Sequence, residues 1–126
     1  MPSTYKDMDK IFLIGAGGFL GAISRFLLCE LIEVHLGTLS VNVLGSFMFG
    51  LIMYDTEYIG FISPKGKLAF GTGFMGAFTT FSTFAVQSFT MPFFPALGNI
   101  SANLFLTLVG VFMGRSVIKA LSGREE

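Results

Sequence analysis

Four long apolar runs, separated by short polar breaks, limit this chain to one class of fold. They lie near residues 11–29, 36–54, 68–91 and 93–114. Each is about 19–24 residues, the length at which a helix crosses the hydrocarbon of a bilayer. In lipid, backbone N–H and C=O groups must be paired within the segment, which selects helices. Charged residues make up 13% of the 126-residue chain, about half the share usual in a soluble domain. The connections near residue 35 and residues 91–95 are short, while the loop at 55–67 is longer and holds Gly60, Pro64 and Gly66. Short links between long helices imply a tight up-down-up-down bundle. The sequence therefore predicts an all-α membrane protein, a single unit over residues 1–126 with four transmembrane helices.

Lys6 and Lys10 ahead of the first run resemble the opening of a secretory signal. No small-x-small cleavage site and polar mature domain follow, so the run reads as a retained span. The formal net charge is zero, which gives no ground for nucleic-acid binding. Cys29 is the single cysteine; it can form no internal disulfide and reads as a small buried hydrophobe. His35 reads as a surface loop residue.

Lysine and arginine set the expected orientation. An even number of spans puts both termini on one side. That side collects Lys6, Lys10, Lys65, Lys67, Arg115, Lys119 and Arg124, against Arg25 alone elsewhere. The bias places both termini in the cytoplasm, and Asp55 and Glu57 do not cancel it, because orientation follows basic residues rather than net charge.

Gly17 with Gly21, Gly18 with Ala22, and Gly110 with Gly114 form small-xxx-small pairs, which let helix backbones approach closely. Polar residues inside the spans are the rarer signal. Thr38, Asn42 and Ser46 recur at i, i+4 and i+8 in the second span, and Asn99, Asn103 and Thr107 do so in the fourth. Each set lies along one helix face. The third span adds Thr79, Thr80, Ser82 and Thr83. Interhelical hydrogen bonds explain any single hydroxyl; two asparagine-bearing stripes point to a polar path. The path has neutral donors and no mid-membrane carboxylate, which favours passive passage of a small ion over coupled pumping. Arg25 lies about 21 Å along the first span, at 1.5 Å per residue. It either snorkels to the interface or sets a positive potential at a pore mouth; in both cases that end favours anions.

Residues 73–84 read GFMGAFTTFSTF. Gly73 and Gly76 weaken a helix, and an interrupted helix frees carbonyls that can coordinate a cation. Phe81 and Phe84 share a helix face. Their ring edges carry partial positive charge and could touch an anion, with Ser82 and Thr83 between them as donors.

This stretch, with GGFLGAISRF (17–26) and TLSVNVLGSFMFG (38–50), closely resembles the Fluc (CrcB) family of fluoride channels across all four spans. The resemblance implies an antiparallel dimer of four-helix subunits, broken in the third helix, with two fluoride pathways at the cell membrane. It implies a structural sodium ion, Na+, at the dimer centre, held by the carbonyls of Gly76 and Thr79, and no organic cofactor. It places the fluoride pathway on Asn42, Phe81 and Phe84, with Thr38, Ser82, Thr83, Asn99, Asn103 and Thr107, and a vestibule arginine at Arg25. The implied activity is not enzymatic: HF enters a cell uncharged and dissociates, and the channel returns fluoride down its gradient. Gln87 stands where many members have glutamate.

Members that insert both ways usually lack so strong a basic bias. The resemblance leaves an antiparallel homodimer or a heterodimer with an oppositely oriented paralogue, and the bias favours the paralogue. Two rivals are a small four-helix multidrug exporter, which needs a membrane-embedded glutamate in the first span, and a non-transporting assembly subunit, which leaves the polar stripes unexplained. A C-terminal tag should be labelled from the cytoplasmic side alone; equal labelling from both sides removes the fixed orientation.

Overall fold

Pairing backbone groups within each segment yields an all-helical chain, about 90% helix among residues 3–123, which the computed structural model describes. Side chains are described from residue 7 onward, so the side chain of Lys6, and Arg124 altogether, lie outside the described residues. The elements are α1 (Ser3–Leu31), α2 (Val34–Tyr58), α3 (Pro64–Lys67), a π-helical stretch (Leu68–Met75), α4 (Gly76–Phe78), α5 (Phe81–Thr90) and α6 (Phe93–Ser122). Three helices are long and apolar enough to cross a membrane: Asp7–Leu31, Val34–Tyr58 and Phe93–Ser122. The third predicted span is not one helix. It is the segmented run from α3 to α5.

The long helices overrun the apolar windows because helical pairing continues into polar ends that hydropathy does not select. His35 accordingly sits in the first turn of α2, exposed, rather than in a loop. Local chemistry sets several ends. Ser63 caps α3 by accepting from the Gly66 amide at 3.1 Å, with Pro64 following it. Gly123 ends α6 at φ 64, a left-handed conformation suited to glycine. The loop after α2 is held by Asp55, whose buried carboxylate accepts the amides of Phe61 (3.2 Å) and Ile62 (2.7 Å). The sequence offered Asp55 only as a loop acid.

Glycines decide which helices touch. A Cβ on Gly17 would strike the carbonyl of Ala69, one on Gly21 that of Phe74, and one on Gly73 that of Ile14 at 2.5 Å. These contacts seat α1 directly on the π-helical stretch. Gly50 against Val111, Gly110 against Val43 and Gly114 against Phe47 do the same for α2 and α6. Both Gly-xxx-Gly pairs are thus contact surfaces.

Polar side chains share the interior with apolar ones such as Val41, Met75 and Phe78, while large apolar side chains face outward, unlike a soluble domain. The buried set includes Thr38, Asp55, Thr80, Gln87 and Asn103, whereas Phe19, Phe26, Phe89 and Phe105 face outward. An outward apolar surface suits lipid. The termini-side residues meet at one end: Lys65 Nζ lies 3.8 Å from Asp9, and Arg115 donates to Tyr58 Oη at 3.2 Å.

Candidate functional site

The third segment breaks at two residues. Thr79 (φ −77, ψ 159) and Thr80 (φ −145, ψ 119) are extended between α4 and α5. The glycines are not the break: Gly73 lies within the π-helical stretch, and Gly76 keeps helical angles of −61 and −30. What holds the break is Asn42 on α2. Its Oδ1 accepts from the Thr80 amide at 2.8 Å, and its Nδ2 donates to the Thr80 carbonyl at 3.1 Å. One primary amide thus replaces the helical partners of one backbone residue, in the middle of an apolar segment where an unpaired group is costly.

Asn42 also starts a relay. Its Nδ2 donates to Asn103 Oδ1 at 3.1 Å, Asn103 Nδ2 reaches the carbonyl and Oδ1 of Asn99 at 3.1 Å each, and Asn99 Nδ2 donates to Ser88 Oγ at 2.9 Å. On the other side of the break Thr80 caps α5. Its Oγ1 accepts from the Thr83 amide at 3.2 Å and lies 3.0 Å from Thr83 Oγ1 and 3.4 Å from Ser82 Oγ. The two asparagine stripes and the hydroxyl cluster are therefore one connected network.

An open groove of about 260 Å³ runs along this network, lined by Asn42, Ser46, Thr79, Thr80, Phe81, Phe84, Asn103, Leu104 and Thr107. No charged side chain lines it. The rings of Phe81 and Phe84 stand 5.7 Å apart at 54°, and Phe81 is 78% exposed. A second groove of about 280 Å³ shares Ser46 and Thr79 and is also lined by Gly76.

Other candidates sit beside the groove rather than in its lining. Thr38 is buried; its hydroxyl donates to the Val34 carbonyl at 3.2 Å and accepts from Gln87 Nε2 at 2.9 Å. Gln87 Nε2 also donates to the Val34 carbonyl at 3.1 Å. A carboxylate at position 87 would set an acceptor against that carbonyl, so the amide suits this site. Asn99, Ser82 and Thr83 support the network from α6 and α5. Ser88 carried no signal in the sequence; Thr80 was legible only as one hydroxyl of a cluster and Gln87 only as a departure from the family glutamate.

Arg25 neither snorkels away nor stands alone: its Nη1 donates to the Thr79 carbonyl at 3.3 Å. That carbonyl and that of Gly76 are both released from helical bonding. The amides that a continuous helix would aim at them, those of Thr83 and Thr80, go to Thr80 Oγ1 and Asn42 Oδ1. Among the described residues, no cluster of His, Cys, Asp or Glu could hold a metal ion. Carbonyl oxygens are the hard ligands available for a cation.

Comparison with known proteins gives consistent findings. The family described as "CrcB-like protein, Camphor Resistance (CrcB)" matches residues 12–115. A relative in Methanosarcina barkeri named "Fluoride-specific ion channel FluC 2" is 89% identical over 99% of both chains. One of the same name in Methanosarcina acetivorans is 82% identical, also over 99% of both. That organism has a second relative, "Fluoride-specific ion channel FluC 1", which is 38% identical over 86% of this chain and 89% of its own length.

The break depends on the Asn42 amide. Asn42→Ala leaves the buried Thr80 amide and carbonyl without partners, at about 1–3 kcal/mol for each group. A lowered thermal midpoint in detergent is the expected outcome; an unchanged midpoint would mean that the break holds without it.

Proposed function

The chain belongs to the CrcB family, and from that membership we propose that it is a fluoride-selective channel lowering cytoplasmic fluoride by passive efflux. The observation that carries the reading is the uncharged groove where Asn42, Thr80, Phe81, Phe84 and Asn103 converge. Fluoride is small and strongly hydrated, so a path must offer substitute donors as water is removed. Amides, hydroxyls and aromatic edges offer them without a full positive charge, and an ion held by neutral dipoles can leave again. The groove has no carboxylate to couple movement to protons. Channel relatives and this lining both support a non-enzymatic role.

The third segment completes a fourth crossing of the membrane, interrupted at Thr79 and Thr80. One subunit leaves the groove open beside the exposed Phe81, and an ion facing lipid there would be strongly disfavoured. An antiparallel dimer supplies the missing wall, with two pathways per dimer. The basic residues near one end support cytoplasmic termini. The strength of that bias supports a partner of opposite orientation, and the presence of FluC 1 and FluC 2 in one organism supports a paralogue as that partner.

Sodium is the structural ion of this reading. The Gly76 and Thr79 carbonyls fit it: both lack helical amides, and the space outside Gly76 is open. Two oxygens are fewer than a hard cation takes, so a second subunit would contribute its own pair. Arg25 now donates to the Thr79 carbonyl, and its guanidinium would turn aside to leave that oxygen for the ion. When bound, sodium would join the two breaks electrostatically.

Fluoride-electrode recordings from liposomes test the channel. Phe81→Ile or Phe84→Ile should sharply reduce efflux while leaving dimers intact; unaltered efflux removes the ring-edge contact from the mechanism. Replacing sodium with N-methylglucamine should lower the thermal midpoint of the purified dimer. An identical midpoint would argue against the cation site.

A further inference from the structure

One polar side chain of the groove keeps its donor hydrogen uncommitted. The groove's polar lining is Asn42, Ser46, Thr79, Thr80, Asn103 and Thr107. Asn42 commits Nδ2 to the Thr80 carbonyl and Asn103 Oδ1. Asn103 commits Nδ2 to both oxygens of Asn99. The hydroxyls of Thr79, Thr80 and Thr107 donate to the Met75 carbonyl (3.0 Å), Thr83 Oγ1 (3.0 Å) and the Asn103 carbonyl (2.6 Å). Each could serve an anion only by giving up an existing bond.

Ser46 differs. Its hydroxyl has no hydrogen-bond partner among the described residues. A helical serine or threonine in an apolar setting usually turns back onto its own helix. Thr38, Thr107 and Ser116 do so, donating to the carbonyls of Val34, Asn103 and Phe112. Ser46 is half-buried, one helical turn beyond Asn42, and lines both grooves. The interhelical bond that would explain a serine at this position is not made.

We propose that Ser46 is a fluoride-binding residue, donating its free hydroxyl hydrogen to the partly dehydrated ion between the two grooves. The inference rests on the channel reading above. A hydroxyl free in the resting subunit can bond the ion without dismantling the Asn42–Asn103 relay. The strength of hydrogen bonds to charged acceptors makes one such donor consequential. Ser46 shares the lining of both grooves with Thr79.

The test is efflux from liposomes holding whichever assembly conducts, the chain alone or co-expressed with its paralogue. Ser46→Ala should cut fluoride efflux by roughly tenfold or more. It should leave the thermal midpoint unchanged, because no hydrogen bond in the structure is lost. Ser46→Thr, which keeps the hydroxyl, should recover most of the flux. Ser46→Ala efflux within twofold of the parent overturns the inference while leaving the channel reading intact. A fall in both flux and midpoint, without recovery by threonine, overturns it in favour of packing. Absence of fluoride efflux from the unsubstituted assembly overturns the channel reading and this inference with it.

Discussion

The two-point hydrogen bond between Asn42 and Thr80 is the interaction on which the rest of the structure depends. A membrane segment can leave helical geometry only if the released backbone groups find other partners. Asn42 supplies an acceptor and a donor at the spacing of one residue's amide and carbonyl. That exchange lets Thr80 turn outward from the helical path, and the Thr80 hydroxyl then starts α5 anew. Phe81 and Phe84 take their positions from that restart. The released carbonyls of Gly76 and Thr79 are its other consequence. Groove and break are therefore products of a single side-chain amide.

Close helix packing makes this possible. Glycines bring α1 onto the π-helical stretch and α2 onto α6, so that Asn42 lies within reach of both Thr80 and Asn103. A bulkier contact would part these helices by more than a hydrogen bond tolerates. The stripe of small residues and the stripe of amides thus act together. One sets the distance and the other uses it.

Neutral donors set the chemical character of the groove. The amide and hydroxyl hydrogens of Asn42, Asn103, Thr79, Thr80 and Thr107 are held within the relay and on nearby carbonyls, so the groove is lined by fixed, neutral dipoles. Arg25 brings the one full charge near the break, but it is bonded to a carbonyl and lies outside the groove lining. On the proposed channel reading, such a lining would attract an anion without trapping it.

The apolar runs, the basic bias and the polar stripes were legible in the sequence because each is a local pattern with a fixed period. The motif at 73–84 also marked the third segment as broken. The position of the break was not legible. Glycine propensity pointed to Gly73 and Gly76, yet the chain stays helical there and opens at Thr79 and Thr80, because Asn42 arrives from 38 positions away in the sequence. The same holds for Arg25, whose partner lies 54 positions along the chain, and for the burial of Gln87 against α2. Sequence alone determined the solvent, the helices and the chemistry of the donors. Tertiary structure decided which donors were already committed and which remained free, since a hydrogen bond depends on the distance between atoms, which periodicity does not encode.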